Sequence, residues 1–277
     1  MAEIRLVATD LDATLLTSKG TLPAQFAIYA QELATMGVHT VIASGRSLHT
    51  LQKMFPQNQE MSFICDNGAV LYTNGQVQYA SLIAPATYQQ MCRFIRRAGA
   101  VPVVCGPTSA YIDRRDIKHR NALAASFAKI EVVSGIEHLT ASADKISAFF
   151  PEGHSSAALP AFEHTYGDHF AVVIAGEQWV DLMNLGVSKG TALARLGSDM
   201  GITAKQMMAF GNTDNDIEML RLVSYSYIVE NATLGMEKVA RFRTASCDEG
   251  GVLMVMQQLV NSKRRTYSRP LTWASGR

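Results

Sequence analysis

The stretch Ile4–Leu16, IRLVATDLDATLL, decides how this chain is read. Its first half is a short apolar run, the pattern of a strand buried on both faces. Its second half places two carboxylates, Asp10 and Asp12, directly after that strand, where open α/β sheets gather their chemistry. Strand alternation would put both on one side of the chain. Working outward, Pro23 and Gly37 bracket a helical stretch with Phe26, Tyr29, Leu33 and Met36 on one face. Val38–Ala43 is a second buried strand, a helix follows from Ser47, and Ser62–Cys65 is a third strand. Strand–helix–strand with short links predicts parallel strands joined by right-handed crossovers. Asn74-Gly75, between VLYT and QVQYA, predicts a hairpin.

The C-terminal third follows the same grammar. Ser188–Met200 reads as a helix, Gln206–Phe210 as a strand, and Asn215–Leu222 as a helix that Asn215 or Asp216 would cap. Ser224–Val229 reads as a strand and Glu249–Leu259 as a last helix. The tail from Asn261, with Lys263, Arg264, Arg265 and Arg269, is polar and expected to fray. The middle differs. Helices at Thr87–Ala98, Asp116–Ala128 and Ser155–His164 mix with strands at Val101–Cys105, Lys145–Phe150, Phe170–Ala175 and Gln178–Met183, the last two joined by a tight turn at Gly176-Glu177. The expected fold class is α/β. A Rossmann-like parallel-sheet core from residues 1–82 and 184–277 is interrupted by an inserted α+β domain over 83–183.

Composition narrows the partners. The chain has 277 residues, 48% hydrophobic and 18% charged, which describes a globular protein with a sizeable core. Lys plus Arg is 25 against 24 for Asp plus Glu, so the net charge of +1 offers no global field for nucleic acid or an anionic membrane. No apolar run reaches the roughly 18 residues of a membrane span. The N-terminus lacks a basic region followed by an apolar stretch, so no secretory signal is expected. Cys65, Cys92, Cys105 and Cys247 are scattered, as suits buried thiols of a reducing cytoplasm.

Four short segments carry the chemistry. Asp10 and Asp12 would repel unless a cation lies between them or one holds a proton, and hard oxygen ligands of this kind suit Mg2+. Ser44-Gly45-Arg46 brings a hydroxyl, a flexible glycine and a helix start, an anion cradle. Lys189 opens a helix, where a cation works against the dipole and needs an anionic partner or solvent. Gly211-Asn212-Thr213-Asp214-Asn215-Asp216 holds more carboxylates and amides than a turn requires. Singly, each has an ordinary reading: solvated carboxylates, turn chemistry, a solvated lysine, a helix cap. Together they supply a nucleophile, an acid or base, a metal site, a hydroxyl and a lysine, the equipment for phosphoryl transfer through an aspartyl phosphate.

At this point the chain resembles the haloacid dehalogenase superfamily, in particular its Cof-type phosphatases. Asp10–Leu16 is similar to the family's first motif, DxDGT. Ser44-Gly45-Arg46 resembles the second, Lys189 in GVSKG the third, and GNTDNDIEML (Gly211–Leu220) the fourth. Cys65-Asp66-Asn67-Gly68-Ala69 and Asp248-Glu249-Gly250-Gly251-Val252 resemble its NGA and EDGV segments. The resemblance implies Asp10 as nucleophile and Asp12 as general acid/base, with Ser44 and Lys189 as further catalytic groups. Gly45, Arg46, Asn67 and Asn215 are the candidate substrate-binding residues. Metal ligation is implied for the Asp10 side chain, the Asp12 carbonyl and a fourth-motif residue. It also implies that the middle domain is a cap over the site.

Two positions depart from the family pattern. Ala13 stands where Gly is usual, with little effect expected unless φ is positive there. Asn212 stands where a metal-binding Asp is usual, which removes a negative charge and shifts the principal acidic ligand to Asp216, or failing that Asp214. Inside the cap, Arg114, Arg115, Lys118 and His119 form a basic run that either meets a second anionic group or marks a solvated helix face, the latter favoured. Trp179 lines the cap interior or packs, and the methionines, Met254 and Met256 among them, read as core filler. The expected activity is Mg2+-dependent hydrolysis of a small phosphorylated metabolite, in the cytoplasm, by a monomer or weak homodimer with no nucleic-acid or membrane partner. A phosphomutase and a catalytically weakened metabolite-binding protein are the alternatives.

Overall fold

The computed structural model describes residues 3–56 and 60–267. In chain order its elements begin with β1 (Leu6–Thr9), α1 (Gln25–Thr35), β2 (His39–Ala43), α2 (Leu48–Met54), β3 (Ser62–Cys65), β4 (Val70–Thr73) and β5 (Gln76–Ala80). Next come α3 (Pro85–Arg97), β6 (Val101–Cys105), β7 (Ala110–Asp113), α4 (Arg120–Leu123), β8 (Ile130–Val133), β9 (Lys145–Phe149), α5 (Ser155–Tyr166), β10 (Phe170–Ile174) and β11 (Trp179–Asn184). The chain continues with α6 (Lys189–Asp199), β12 (Met207–Gly211), α7 (Ile217–Leu222), β13 (Tyr225–Ile228), β14 (Phe242–Arg243) and α8 (Gly251–Tyr267). It divides into two compact units, residues 1–41 with 202–277, and residues 42–201.

In the first unit β1 pairs in parallel with β12, from Leu6 opposite Met207 to Thr9 opposite Phe210, and β12 continues in parallel to β13 and β13 to β14. The parallel register brings the carboxyl ends of β1 and β12 out side by side. Asp10 and Asn212, one and two residues past the last pair, therefore leave at the same edge. Leu6, Val7 and Ala8 are completely buried, as the apolar run requires. Helix α8 runs past the expected end at Leu259. Val260 and Lys263 extend its buried stripe from Val252 and Met256, the Lys263 stem packing while Nζ reaches Glu3 at 3.2 Å. Arg264 meets Glu32 of α1 at 2.8 Å, so the tail expected to fray is helical through Tyr267. Arg269 lies outside the described residues. Of the methionines read as filler on α8, Met256 is buried and Met254 exposed.

In the second unit β3, β4 and β5 form an antiparallel meander. Its hairpin turns at Asn74 (φ 51°) and Gly75 (φ 78°), the left-handed pair that the Asn-Gly dipeptide favours. A six-stranded sheet follows in the order β10-β11-β9-β6-β7-β8, antiparallel except for β7 with β8. Tyr88, Met91 and Ile95 of α3 and Phe162 of α5 cover one face, against Val104, Ile146, Ala148, Val180 and Leu182. On the other face Phe149 and Trp179 pack with Phe127, Leu123 and Val103. No sequence pattern marks the strands β7 and β8, and Asp116–Ala128 is not the expected helix. Arg114–His119 forms a 3-10 turn and α4 adds one short turn. Asp113 caps that turn, its carboxylate receiving the Arg115 N–H, and it also accepts the Ile136 N–H. All four cysteines are buried free thiols. Among the described residues no helix is long and apolar enough to cross a membrane.

Candidate active site

Strand β1 ends at Thr9, so alternation does not carry on to Asp12. The Asp10 N–H still donates to the Phe210 carbonyl at 2.9 Å, after which the chain enters a π-helical turn over Leu11–Leu15. Leu11, Thr14 and Leu15 anchor that turn inward. Asp10 is consequently buried while Asp12 is exposed. Ala13 has φ 55°, in the left-handed region, so the departure from glycine does carry strain.

The fourth segment closes around this turn. Asn212 Nδ2 donates to the Asp12 and Ala13 carbonyls at 3.2 and 3.4 Å. Asp216 is completely buried, and its Oδ2 receives the N–H groups of Asn212 at 2.8 Å and Thr213 at 3.2 Å. Asp216 stands at the N-cap of α7, one of the two expected positions, but its side chain reaches back to Thr213, which caps the 3-10 turn before the helix in a capping box. A Cβ on Gly211 would collide with the Asp216 carboxylate, which explains the glycine. Asn215 receives the Thr213 hydroxyl at 2.7 Å, and Asp214 is exposed. Two further residues join from outside the four motifs, one of them in the EDGV-like segment. Asn231, which no local sequence pattern marks, donates to the Ala13 carbonyl at 2.8 Å and accepts the Cys247 N–H. Asp248 binds the backbone and hydroxyl of Ser18 at 2.8 and 3.0 Å, tying the EDGV-like segment to the chain just after the first motif.

The second unit holds the other candidates. The Ser44 N–H donates to the Ile64 carbonyl, and its Oγ accepts the Arg46 N–H at 3.1 Å, leaving the hydroxyl its own proton to give. Main-chain bonds of 3.0 Å from Asn67 to Ser44 and from Asp66 to Arg46 zip this loop to the turn after β3. Asp66 (φ 47°) and Asn67 (φ 55°) adopt left-handed backbone there. A Cβ on Gly45 would come within 3.1 Å of Asn67 Oδ1, so glycine lets the two loops close up. A Cβ on Gly68 would strike the Ser188 carbonyl, which brings the start of α6 against the same turn. Lys189, next in the chain, is completely buried, so it is not a solvated lysine. A capping box between Ser188 and Thr191 fixes its helix.

The structure thus gathers Asp10, Asp12, Asn212 and Asp216 in one unit, and Ser44, Gly45, Asn67 and Lys189 in the other. The basic run does not act together. Arg115 is taken up by Asp113 and Glu137, each within 3.0 Å, and hydrogen bonds from Arg115 hold the Asp113 carboxyl well below the usual range. Arg114 and Lys118 are exposed, and His119 lies edge-on to Phe149. Trp179 packs between Phe149 and Phe127. Among the described residues no three His, Cys, Asp or Glu side chains converge as a metal cage. The oxygen-bearing groups at the ends of β1 and β12 are the Asp10 and Asp216 carboxylates, the Asp12 carbonyl and the Asn212 amide, with the amide nitrogen turned to the Asp12 carbonyl and Asp216 Oδ2 bonded to two N–H groups. An all-oxygen set with few carboxylates fits Mg2+, which keeps several of its waters.

The profile of one family, described as haloacid dehalogenase-like hydrolase, matches residues 7–256. The chain is 27% identical over 265 residues to 5-amino-6-(5-phospho-D-ribitylamino)uracil phosphatase YbjI of Escherichia coli, covering 93% of this chain and 96% of that one. Among solved structures it is similar to SMU.1108c of Streptococcus mutans, with 26% identity, a TM-score of 0.84, and 94% and 100% of the two chains covered. It is also similar to a protein of Eubacterium rectale, with 28% identity, a TM-score of 0.82, and 92% and 98% covered.

Proposed function

The chain belongs to the haloacid dehalogenase-like hydrolases, and on that membership we propose that it is a Mg2+-dependent phosphatase of small phosphorylated metabolites, working through an aspartyl phosphate. The observation that carries the reading is the family match over 7–256, which encloses all four motifs in order. In this mechanism an Asp10 carboxylate oxygen attacks phosphorus in line, and the bond to the leaving alkoxide breaks. Asp12 gives that alkoxide a proton, then takes one from the water that cleaves the acyl phosphate and restores Asp10. The Ser44 hydroxyl and the Lys189 ammonium stabilise the equatorial oxygens. Bound Mg2+, held by Asp10, the Asp12 carbonyl, Asp216 and Asn212, would neutralise charge between nucleophile and phosphate. Gly45, Arg46, Asn67 and Asn215 serve the substrate. In this reading residues 1–82 and 184–277 form the core domain, and 83–183 form a cap that excludes water and selects the substrate.

The YbjI relative's name makes a phosphorylated ribitylaminouracil the first compound to try in a panel of phosphate esters. The small net charge agrees with such a partner better than with a polyanion. Asp10→Asn is expected to abolish Mg2+-dependent hydrolysis of p-nitrophenyl phosphate while the protein stays folded. Full activity in that variant would sink the mechanism. Release of free phosphate distinguishes hydrolysis from a phosphomutase, which would return the group to a sugar. One observation favours a second reading, a weakened protein that only binds its metabolite: an amide, Asn212, occupies the fourth motif's metal position and turns its N–H groups toward the Asp12 carbonyl. Turnover of any ester by the wild type rules that reading out.

A further inference from the structure

Outside the residues assigned above, the second unit buries a group of charges that needs an explanation. Lys145 is the first residue of β9, opposite Cys105 of β6, and its side chain is only 5% exposed. Its Nζ donates to the Gly45 carbonyl at 3.0 Å and lies 2.9 Å from Asp66 Oδ1 and 3.3 Å from Asp181 Oδ2. One ammonium thus hydrogen-bonds a main-chain carbonyl and pairs with two carboxylates, drawing together three separate parts of the chain. Asp181 is aimed by Ser147, whose hydroxyl donates to its other oxygen at 2.6 Å. Burial opposes the lysine's charge, but the Asp181 and Asp66 carboxylates outweigh it and keep Lys145 protonated.

Stability alone does not call for this arrangement, since apolar side chains of similar volume commonly serve a fold as well as a buried ion cluster. What the cluster adds is position. Gly45 and Asp66 belong to the two turns that carry Ser44 and Asn67, and those turns already bond to each other through their main chains. Lys145 binds both turns at once from a strand 100 residues from Gly45. A second tether lies close by, where Thr50 of α2 receives the Ala128 N–H at 3.1 Å. The Gly45 carbonyl shares its peptide plane with the Arg46 N–H, which donates to Ser44 Oγ at 3.1 Å, so holding that carbonyl holds the donor that aims the Ser44 hydroxyl.

We propose that Lys145 is a positioning residue for the phosphate-holding loop, fixing Ser44 through the Gly45 carbonyl and the Asp66 turn. The proposal rests on the reading of Ser44 as a phosphate ligand. Removing Lys145 alone would leave two buried carboxylates uncompensated. The informative variant therefore combines Lys145→Met with Asp66→Asn and Asp181→Asn. We expect its Kd for inorganic phosphate and its KM for p-nitrophenyl phosphate both to rise about tenfold or more, as for a lost hydrogen bond to a charged group, with kcat changing less. A merely structural role would move Tm and the active fraction and leave Kd and KM in place. Unchanged Kd and KM in the folded variant overturn the proposal. Should that variant not fold, Lys145→Arg keeps the charge, changes the donor geometry and is judged on the same two constants. A wild type that binds phosphate without hydrolysing any ester overturns the phosphatase reading alone. A wild type that binds no phosphate overturns both.

Discussion

Ala13 sits at φ 55° between the two residues proposed to do the chemistry and the buried Thr14. For a residue with a Cβ that conformation costs roughly 1–2 kcal/mol. It is held in place by amides, since Asn212 and Asn231 both donate to the Ala13 carbonyl. Those bonds use backbone atoms and survive substitution of the side chain. Ala13→Gly should remove the strain and lose part of the gain to the freer unfolded chain, for a net stabilisation of about 0.5–1 kcal/mol. In thermal unfolding this is a Tm rise of about 1–4 °C, and a fall would show that the Ala13 methyl makes contacts outweighing the strain. Asn212 poses the opposite test. Its Nδ2 donates to the Asp12 carbonyl, satisfying the oxygen that a cation would otherwise approach. Asn212→Asp replaces that donor with a carboxylate facing two carbonyls. The variant should therefore melt lower than wild type in EDTA and gain more from saturating Mg2+, because ligand binding adds RT ln(1 + [L]/Kd) to stability. Equal Mg2+-induced shifts in the two proteins would remove Asn212 from the metal site.

At the scale of elements, the sequence was most legible where one pattern decided the outcome. The apolar runs ending at Thr9, Ala43 and Cys65 are strands because alternation is unnecessary when both faces are buried. The motif segments were legible too, because each is a continuous loop whose residue types are unusual together. Legibility failed where the deciding contact comes from far along the chain. β7 and β8 are four residues each and break their apolar runs with Asp113 and Glu131, so their strand state shows only through pairing, β7 between β6 and β8 and β8 on β7. The stretch after Asp113 is rich in helix formers, yet it makes a 3-10 turn and one short helical turn, with Arg115 paired to Glu137 and Asp116 to Arg96 of α3. Lys263 reads as part of a polar tail, yet its stem continues the buried stripe of α8 while its Nζ reaches Glu3 at the other end of the sequence. Lys145 read only as the first residue of a strand, because Gly45, Asp66 and Asp181 are dispersed along the chain. Asn231 was hidden for the same reason.

At the scale of the whole molecule, buried titratable groups set how stability follows pH. Burial, with Lys129 and Lys145 nearby, pulls His49 down to about 4. Its folded value lies below its unfolded value near 6.5, so the unfolded chain binds more protons between those limits, and His49 makes stability rise with pH across them. Asp144 has the opposite sign. It is completely buried, neither carboxylate oxygen has a protein hydrogen-bond partner, and burial together with Asp66 raises it well above the ordinary range against the opposing pull of Lys145. The folded state then holds the proton that the unfolded state has released. Stability from this group is complete below the unfolded carboxylate value near 3.9 and is lost as pH rises toward the folded one. Below pH 6.5 the two groups oppose each other; above it His49 is neutral in both states and only the buried acids still slope. Above pH 6.5 wild-type stability should fall with pH, each buried acid that still holds its proton contributing at most about 1.4 kcal/mol per pH unit. Asp144→Asn keeps the shape and removes the titration. Its Tm should match wild type only below the unfolded carboxylate value near 3.9, where Asp144 is protonated in both states, and exceed it increasingly as pH rises above that. Parallel Tm profiles for the two proteins would mean that Asp144 is already ionised in the native state, and that Lys145 carries three carboxylates instead of two.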